Sequence, residues 1–444
     1  MLVLEAAETA GGGLRSAELT LPGFTHDVCS AIHPWPLASP FLRTLPLAEH
    51  GVELVHPRAP LAHPFDDGTT ALLERTVDAT GAFLGDDAAS WARLVEPLVR
   101  SAETTLAGAL APPVPPRHPL ALARLGLHGL RSASGLARAR FRGERARGLF
   151  AGLAAHSMLP LTAPASASFG LMLAVVAHGF GWPLVRGGSQ RLADGLVLYL
   201  RSLGGEIETG RPVEALDDLP TARVVLLDLT PRGIARLAGS RFSPRYRRQL
   251  QKYRYGSGVF KLDWALDRPV PWRSSECSAA ATVHLGATLR EIEASAAAVS
   301  RGEHAERPFV LLAQQSLFDS TRAPAGKHTL WGYCHVPNGS TVDMTEQVEE
   351  QIERFAPGFR DVVISRSGMT AAEFDAYNPN YVGGDINGGS QDLRQLLARP
   401  APRLVPYSTP DPNIFICSSA TPPGGGVHGM CGYFAAQAAL RALR

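Results

Sequence analysis

Apolar residues in this chain fall into a few short runs whose spacing predicts their structure. Leu2-Val3-Leu4 is a continuous apolar run closed by Glu5 and Ala6, the pattern of a strand that ends in an acid. Between Ser189 and Leu203, Leu192, Leu196 and Leu200 recur at helical spacing until Gly204-Gly205 stops them. Ile207–Leu216 and Val224–Leu229 follow as strands, the second short and apolar enough for a buried parallel strand. Trp91, Leu94, Val95 and Leu98 stripe a helix after Asp86-Asp87, a candidate cap, with Pro97 as a candidate kink.

Further on, Phe260, Leu262, Trp264 and Leu266 alternate with Lys261, Asp263 and Ala265, which predicts a half-buried strand. Phe309–Ser316 and His328–Val336 add two more strands, giving a mostly antiparallel sheet. Met344, Val348, Ile352 and Phe355 mark a helix stopped by Pro357-Gly358, and Thr370 with Glu373 forms a capping box. At the far end, Asn413–Ala420 reads as a strand, Thr421–Gly429 as a loop and Met430–Leu443 as an Ala-rich helix.

Two segments break the periodic picture. Residues 20–65 carry eight prolines and predict a loop-rich stretch with short strands. Their five histidines (26, 33, 50, 56 and 63) show no metal-ligand spacing and read as scattered polar surface; no metal site is expected. Pro112–Pro119 then interrupts the chain. Between Arg117 and Arg147 there are eight arginines against one acid, Glu144, interleaved with Leu120, Leu122, Leu125, Leu127 and Leu130. That pattern fits either a basic amphipathic segment resting on a membrane surface or a solvated helix face.

Composition narrows the field. The 444 residues, 45% of them hydrophobic and 19% charged, describe a globular protein of two or three domains and exclude wholesale disorder. A net charge of +2 gives no global drive toward nucleic acid. The cluster Arg245–Tyr255 superficially resembles a single-strand nucleic-acid surface, but no binding fold accompanies it and no nucleic-acid partner is expected. The 43 basic residues include only three lysines, Lys252, Lys261 and Lys327, which points to GC-rich coding bias. Five scattered cysteines without a C-x-x-C pair suit a reducing compartment. The longest apolar run, Leu171–Ala177, stops at His178, short of a membrane span, and the start lacks a signal-peptide pattern. A soluble, cytoplasmic protein is expected, and any membrane contact would be peripheral.

Candidate chemistry sits at the two ends. A strand ending in Glu is the device a dinucleotide fold uses to hold a ribose, and Gly11-Gly12-Gly13-Leu14-Arg15 supplies glycines and a forked cation nearby. A buried strand with a surface turn has the same pattern. Gly424, Gly426 and Gly429 make the chain's only G-x-G-x-x-G match, in a strand–loop–helix setting that suits negative charge. A tight structural turn is the alternative. There is no G-x-S-x-G elbow, P-loop or H-E-x-x-H, so hydrolase and nucleotide-triphosphatase readings lack support.

Leu2–Ala6, Gly11–Ser16, Trp182–Leu192, Asn378–Ile386 and Ser418–Gly432 together resemble the flavin-dependent oxidoreductases of the phytoene desaturase and amine oxidase superfamily. The likeness is greatest to phytoene dehydrogenase-like proteins, including retinol saturase and the pyridine nucleotide-disulfide oxidoreductase domain 2 group. The resemblance implies an α/β fold: an FAD/NAD(P)-binding Rossmann-like domain interleaved with an α+β substrate domain. Residues 1–65, 183–240 and 403–444 would form the first, 66–182 and 241–402 the second. It implies FAD as cofactor, with Glu5 on the adenosine ribose, Gly12, Gly13 and Arg15 at the pyrophosphate and Val213 reaching the adenine through its backbone. Gly425, Gly426, Val427, His428, Gly429 and Met430 would lie against the flavin ring, with His428 the one titratable group there and the candidate catalytic residue.

Members of that family place a strand and G-x-G-x-x-G ahead of the Glu-bearing strand, whereas here Glu is residue 5. Two explanations stand: a misplaced start, or a flavin-free descendant. The expectation is thus an FAD-dependent oxidoreductase that dehydrogenates or saturates a hydrophobic, polyene or lipid-like substrate. The alternative is a non-catalytic scaffold or partner-binding protein that kept the fold and lost FAD.

Overall fold

The computed structural model describes residues 1–113 and 115–444. In chain order its strands are β1 Leu2–Leu4, β2 Ser16–Ala17, β3 His26–Asp27, β4 Leu54–Val55, β5 Ala59–Pro64, β6 Thr70–Leu73, β7 Leu184–Val185, β8 Glu206–Glu208, β9 Val225–Leu227, β10 Gly258–Leu266, β11 Ala280–Leu285, β12 Val310–Ala313, β13 His328–Val336, β14 Val363–Met369 and β15 Ile414–Ile416. Seven of them form one sheet in the order β14-β10-β13-β12-β11-β5-β6, antiparallel except where β11 meets β5. The α/β class is therefore as the resemblance implied, and the mostly antiparallel sheet as the strand pattern predicted. The boundary expected at residue 65 falls between β5 and β6, which pair as a hairpin within this sheet.

The strand predicted as half-buried is buried at all nine positions, Gly258 to Leu266. One face carries Phe260, Leu262, Trp264 and Leu266. Trp264 donates its indole N–H to Glu349 at 3.0 Å and meets Phe359 edge-on, so helix Thr345–Phe355 covers that face. The other face holds Lys261, 2% exposed, and Asp263, 3% exposed, bonded to each other. Alternation misread them as solvent-facing because a distant segment, His26–Cys29, packs over them: His26 Nδ1 lies 3.5 Å from Asp263 Oδ1. Burial raises the Asp263 carboxyl to about 6, an effect the Lys261 ammonium opposes.

Beside the large sheet stand two parallel pairs, β1 with β8 and β9 with β15, not hydrogen-bonded to one another among the described residues. Helix Gln190–Ser202 precedes β8 and ends where expected, with Gly204 at φ 79° and Gly205 donating to Leu200 O at 3.0 Å. The strand expected over Ile207–Leu216 stops at Glu208, since Gly210 turns the chain at φ 63° and Pro212 follows without a backbone N–H. Val213 therefore lies in irregular chain rather than in a strand.

Several local expectations hold. Thr370 and Glu373 make both bonds of the capping box, at 2.7 and 3.3 Å. Helix Ala88–Val99 buries Trp91, Leu94, Val95 and Leu98. Asp87, however, does not cap it; its carboxylate accepts from the amides of Arg142 and Gly143 and pins that distant turn. Residues 117–147 form not one amphipathic helix but Pro119–Gly129, Ala133–Arg140 and the start of Glu144–Ala155. The Pro112–Pro119 break includes residue 114, which lies outside the described residues. Three of the histidines read as surface are buried: His26 bonds Thr20, His33 bonds Ser189, and His63 bonds Ala287 O. At each site one ring nitrogen finds a partner that offsets its burial, while Nδ1 of all three has no hydrogen-bond partner.

One carboxylate ties the N-terminal stretch to the rest. Asp27, fully buried, accepts from Ser16 Oγ at 2.7 Å, from the Ser189 amide at 2.8 Å and from Arg322 Nη2 at 2.6 Å. Burial alone would raise its pKa; the Arg322 charge and these bonds reverse that and hold it below the usual range. A depressed carboxyl stabilises the fold above its unfolded pKa of about 4 and loses that contribution as pH falls through the lower folded value. Asp27→Asn leaves Arg322 buried without a counter-charge and should cost about 3–5 kcal/mol. Chemical-denaturation curves at pH 7 should show this, with the gap to wild type narrowing below pH 4.

Candidate functional site

The carboxyl ends of β1, β9 and β15 converge, the place where open α/β sheets bind ligands. At these ends stand Glu5, Asp228 and Cys417. Asp228 is solvent-accessible yet deeply enclosed; burial raises its carboxyl to about 6 and the neighbouring Glu5 charge adds to the rise. Burial likewise raises the Cys417 thiol, with Asp228 contributing. Two acids close enough for one charge to act on the other leave acceptor capacity for hydroxyl donors.

Glu5 is held in place by its own loop. Its Oε1 accepts from the Ala7 amide at 2.8 Å and from Arg15 Nη2 at 3.2 Å, and no partner engages Oε2 among the described residues. Arg15 is committed elsewhere as well, donating to Thr9 O at 3.0 and 2.8 Å and to the Tyr377 hydroxyl at 3.3 Å. Its guanidinium thus positions Glu5 and closes the loop rather than presenting a free fork. A cavity of about 610 Å³ adjoins this loop, lined by Thr9, Arg15, Gln190, Asp194, Arg201 and Tyr377 among others.

The glycines have distinct reasons. A Cβ on Gly12 would meet nothing, whereas one on Gly13 would lie 2.3 Å from the Tyr381 hydroxyl, so Gly13 lets that phenol approach. Tyr381 also lies beside Cys29. The structure brings Glu5, Gly13 and Arg15 together; Val213 is half-buried and beyond the end of β8.

The C-terminal loop is clamped from within. His428, 2% exposed, accepts from the Met430 amide at Nδ1, 3.1 Å away, and its Nε2 lies 3.1 Å from Gly424 O. With Nδ1 accepting, the ring is neutral and Nε2 donates. Burial lowers its pKa to about 4. Both nitrogens therefore set the loop's shape at the start of helix Met430–Ala442. A Cβ on Gly425 would lie 2.6 Å from Asn387 O, so the loop rests directly on the backbone of the Asn378–Ile386 motif's continuation.

Sequence reasoning missed the groups that join these loops. Arg399, 1% exposed, donates to Ser419 O at 2.8 Å, Gly388 O at 3.1 Å and the Tyr253 hydroxyl at 2.8 Å. Tyr253 and Tyr246, in the cluster that superficially suggested a nucleic-acid surface, are both buried. Asn380 accepts from the Thr230 amide at 3.0 Å and donates to Asp228 O at 3.1 Å, fixing the end of β9. Asp385 receives the amides of Gly256, Asn387 and Gly389. A lone Arg or Asp among forty similar residues gives no local signal of such a role.

No protein-family model matches the chain. It is 32% identical over 155 residues to pyridine nucleotide-disulfide oxidoreductase domain-containing protein 2 of Rattus norvegicus, covering 32% of this chain and 26% of the relative. The matched stretch thus spans about a quarter of that relative's length. An oxidoreductase from Methanosarcina mazei superposes with a TM-score of 0.64 at 14% identity, over 98% of this chain and 93% of the other. Putrescine oxidase bound to putrescine gives 0.62 at 16% identity, over 100% and 93%. At such identities the likeness is one of fold. Relative and fold both match the superfamily that the end motifs resemble.

Because the Asp228 carboxyl is raised, it opposes folding increasingly from the unfolded value of about 4 up to its folded value of about 6, and fully above that. Asp228→Asn should therefore raise the melting temperature at pH 8, with the gain shrinking as pH falls from 6 to 4, as measured by scanning fluorimetry.

Proposed function

We propose that this chain is an FAD-dependent oxidoreductase acting on a hydrophobic, polyene or lipid-like substrate by dehydrogenation or saturation. The observation that carries this reading is the unpartnered Oε2 of Glu5 at the carboxyl end of a parallel strand. Residues present there fit the ribose half of FAD, whose hydroxyls a carboxylate accepts. Arg15 serves as the positioning residue for Glu5 rather than as a pyrophosphate clamp. The loop Gly424–Met430 suits the flavin end, where a helix N-terminus favours negative charge. Bound flavin would supply hydride or electron transfer. The chain's own task is then to orient an apolar substrate and exclude water, and His428, spent on loop hydrogen bonds, keeps the loop's shape.

FAD titration followed by flavin fluorescence tests this. Saturable retention is expected, weakened about 10- to 100-fold in Glu5→Gln, as for loss of a charge-assisted hydrogen bond. Failure of both this chain and a form extended by its in-frame upstream sequence to retain FAD would reject the reading in favour of a non-catalytic scaffold.

The route for such a substrate is proposed at helix Pro119–Gly129. Leu120 is 86% exposed and Leu127 70%, with Leu130 following at 57%, and Arg117, Arg124 and Arg131 are exposed beside them. Apolar side chains within a basic surface favour an anionic lipid layer. Co-sedimentation with anionic vesicles at low salt, lost in Leu120→Asp/Leu127→Asp, is the expected result; wild type remaining in the supernatant would remove the membrane contact.

A further inference from the structure

Strand β9 runs parallel to β15, with Leu227 beside Ile416, and the Cys417 amide donates to Leu227 O at 3.0 Å. Asp228 and Cys417 therefore leave their strands at the same level. Ser418 Oγ donates to Leu229 O at 2.7 Å, which keeps the two chains together one step further on. Glu5 leaves β1 in the same way, its amide on Glu208 O at 2.9 Å. In the flavin reading, a dinucleotide with its ribose on Glu5 and its ring against Gly424–Met430 has to cross from the end of β1 to the chain that continues β15. The diphosphate joins those two halves, so it passes the level of Asp228 and Cys417.

An ionised acid at that crossing opposes a diphosphate, and its surroundings do not offset it. Asn380 donates to the Asp228 backbone carbonyl, 3.1 Å away, and no hydrogen bond to the carboxyl lowers its pKa. The side chain keeps accessible surface although protein encloses it. Glu5 supplies the charge that acts on it, and that charge has the same sign. The cations of the neighbouring loops are already spent. Arg15 donates to Glu5, Thr9 O and Tyr377, Arg232 to Asp375 and Pro379 O, and Arg399 to the carbonyls of Gly388 and Ser419.

Protonation removes the conflict. A neutral carboxyl carries an O–H donor, and an O–H aimed at a phosphate oxygen makes a charge-assisted hydrogen bond. Burial and the Glu5 charge already hold Asp228 at about 6, and a diphosphate beside it would raise that value further. Around it, burial lowers His428 to about 4 and raises the Cys417 and Cys431 thiols, so these three stay neutral between about pH 6 and 8.

We infer that Asp228 holds the cofactor's diphosphate in its neutral form, donating a hydrogen bond to a phosphate oxygen, so that cofactor retention is coupled to uptake of a proton. The inference rests on the flavin reading and gives that site a proton-linked binding residue. By linkage, retention is steady below the pKa of the free site and weakens above it, by up to about tenfold per pH unit. Asp228→Asn keeps a donor and cannot ionise, so it removes the dependence.

FAD titrations from pH 5.5 to 8.5, followed by flavin fluorescence, test it, with proton uptake measured by calorimetry in buffers of different ionisation enthalpy. Wild type should lose about 10- to 100-fold in affinity between pH 6.5 and 8.5 and take up about one proton per FAD at pH 7.5. Asp228→Asn should bind with nearly the same affinity across the range, more tightly than wild type at pH 8.5, and without proton uptake. A flat wild-type profile, a slope that persists in Asp228→Asn, or weaker binding by that variant at pH 8.5 would each overturn the inference and leave the flavin reading standing. No FAD retention at any pH, by this chain or its form extended upstream, rejects the flavin reading itself and this inference with it.

Discussion

The Asp27 carboxylate is the constraint on which the rest of the arrangement depends. It lies where three stretches far apart in sequence meet, its own β2–β3 hairpin, the turn at Ser189 and the segment Gln315–Arg322, receiving Ser16, Ser189, Gln315 and Arg322. Remove its charge and the loop behind β1, the turn that starts helix Gln190–Ser202 and the approach to β13 lose their common anchor. A buried ion pair of this kind contributes little net stability over an apolar replacement, but it is demanding about geometry, because each unmet bond is costly. Gly188 shows how close the fit is: a Cβ there would stand 2.6 Å from Ser16 Oγ. The Trp182–Leu192 motif is thus a docking element for the N-terminal stretch.

From that anchor the candidate site follows. With the N-terminal stretch fixed, Arg15 reaches Glu5 and Tyr377, and Gly13 receives the Tyr381 hydroxyl. On the other side Arg399 gathers carbonyls from Gly388, Ser419 and Ala420, holding the C-terminal loop over the segment that follows β14. The site is a set of loops at strand ends, each kept in shape by a buried charged or amide group from elsewhere. Its acids lie close enough to act on one another, while His428 is neutral and internal, so its electrostatics come from carboxylates and backbone rather than from a titrating imidazole.

Much of the element order was legible in the chain. The strand His328–Val336 and the helix Thr345–Phe355 follow directly from apolar spacing, and the capping box at Thr370 and Glu373 follows from local hydrogen-bond chemistry. The end motifs likewise indicated the fold. What alternation misjudged was burial: Lys261 and Asp263 on β10, and His26, His33 and His63, carry polar side chains into the interior. A sequence pattern registers polarity, and polarity means exposure only where no partner exists inside.

The sequence by itself determined which segments become strands and helices, because those depend on neighbours a few residues away and on the 2.0 and 3.6 periods of the backbone. It also determined that glycine loops and an acid-ended strand lie at the two ends. Only the tertiary structure decided that Arg15 spends its donors on its own loop, that His428 closes its loop on itself, and that Asp228 comes within reach of the Glu5 charge. The approach of Asp228 to Glu5 joins distant parts of the chain, whereas the two loop closures span only a few residues but follow no helix or strand period; which buried polar group finds a partner is decided once the chain has closed around it.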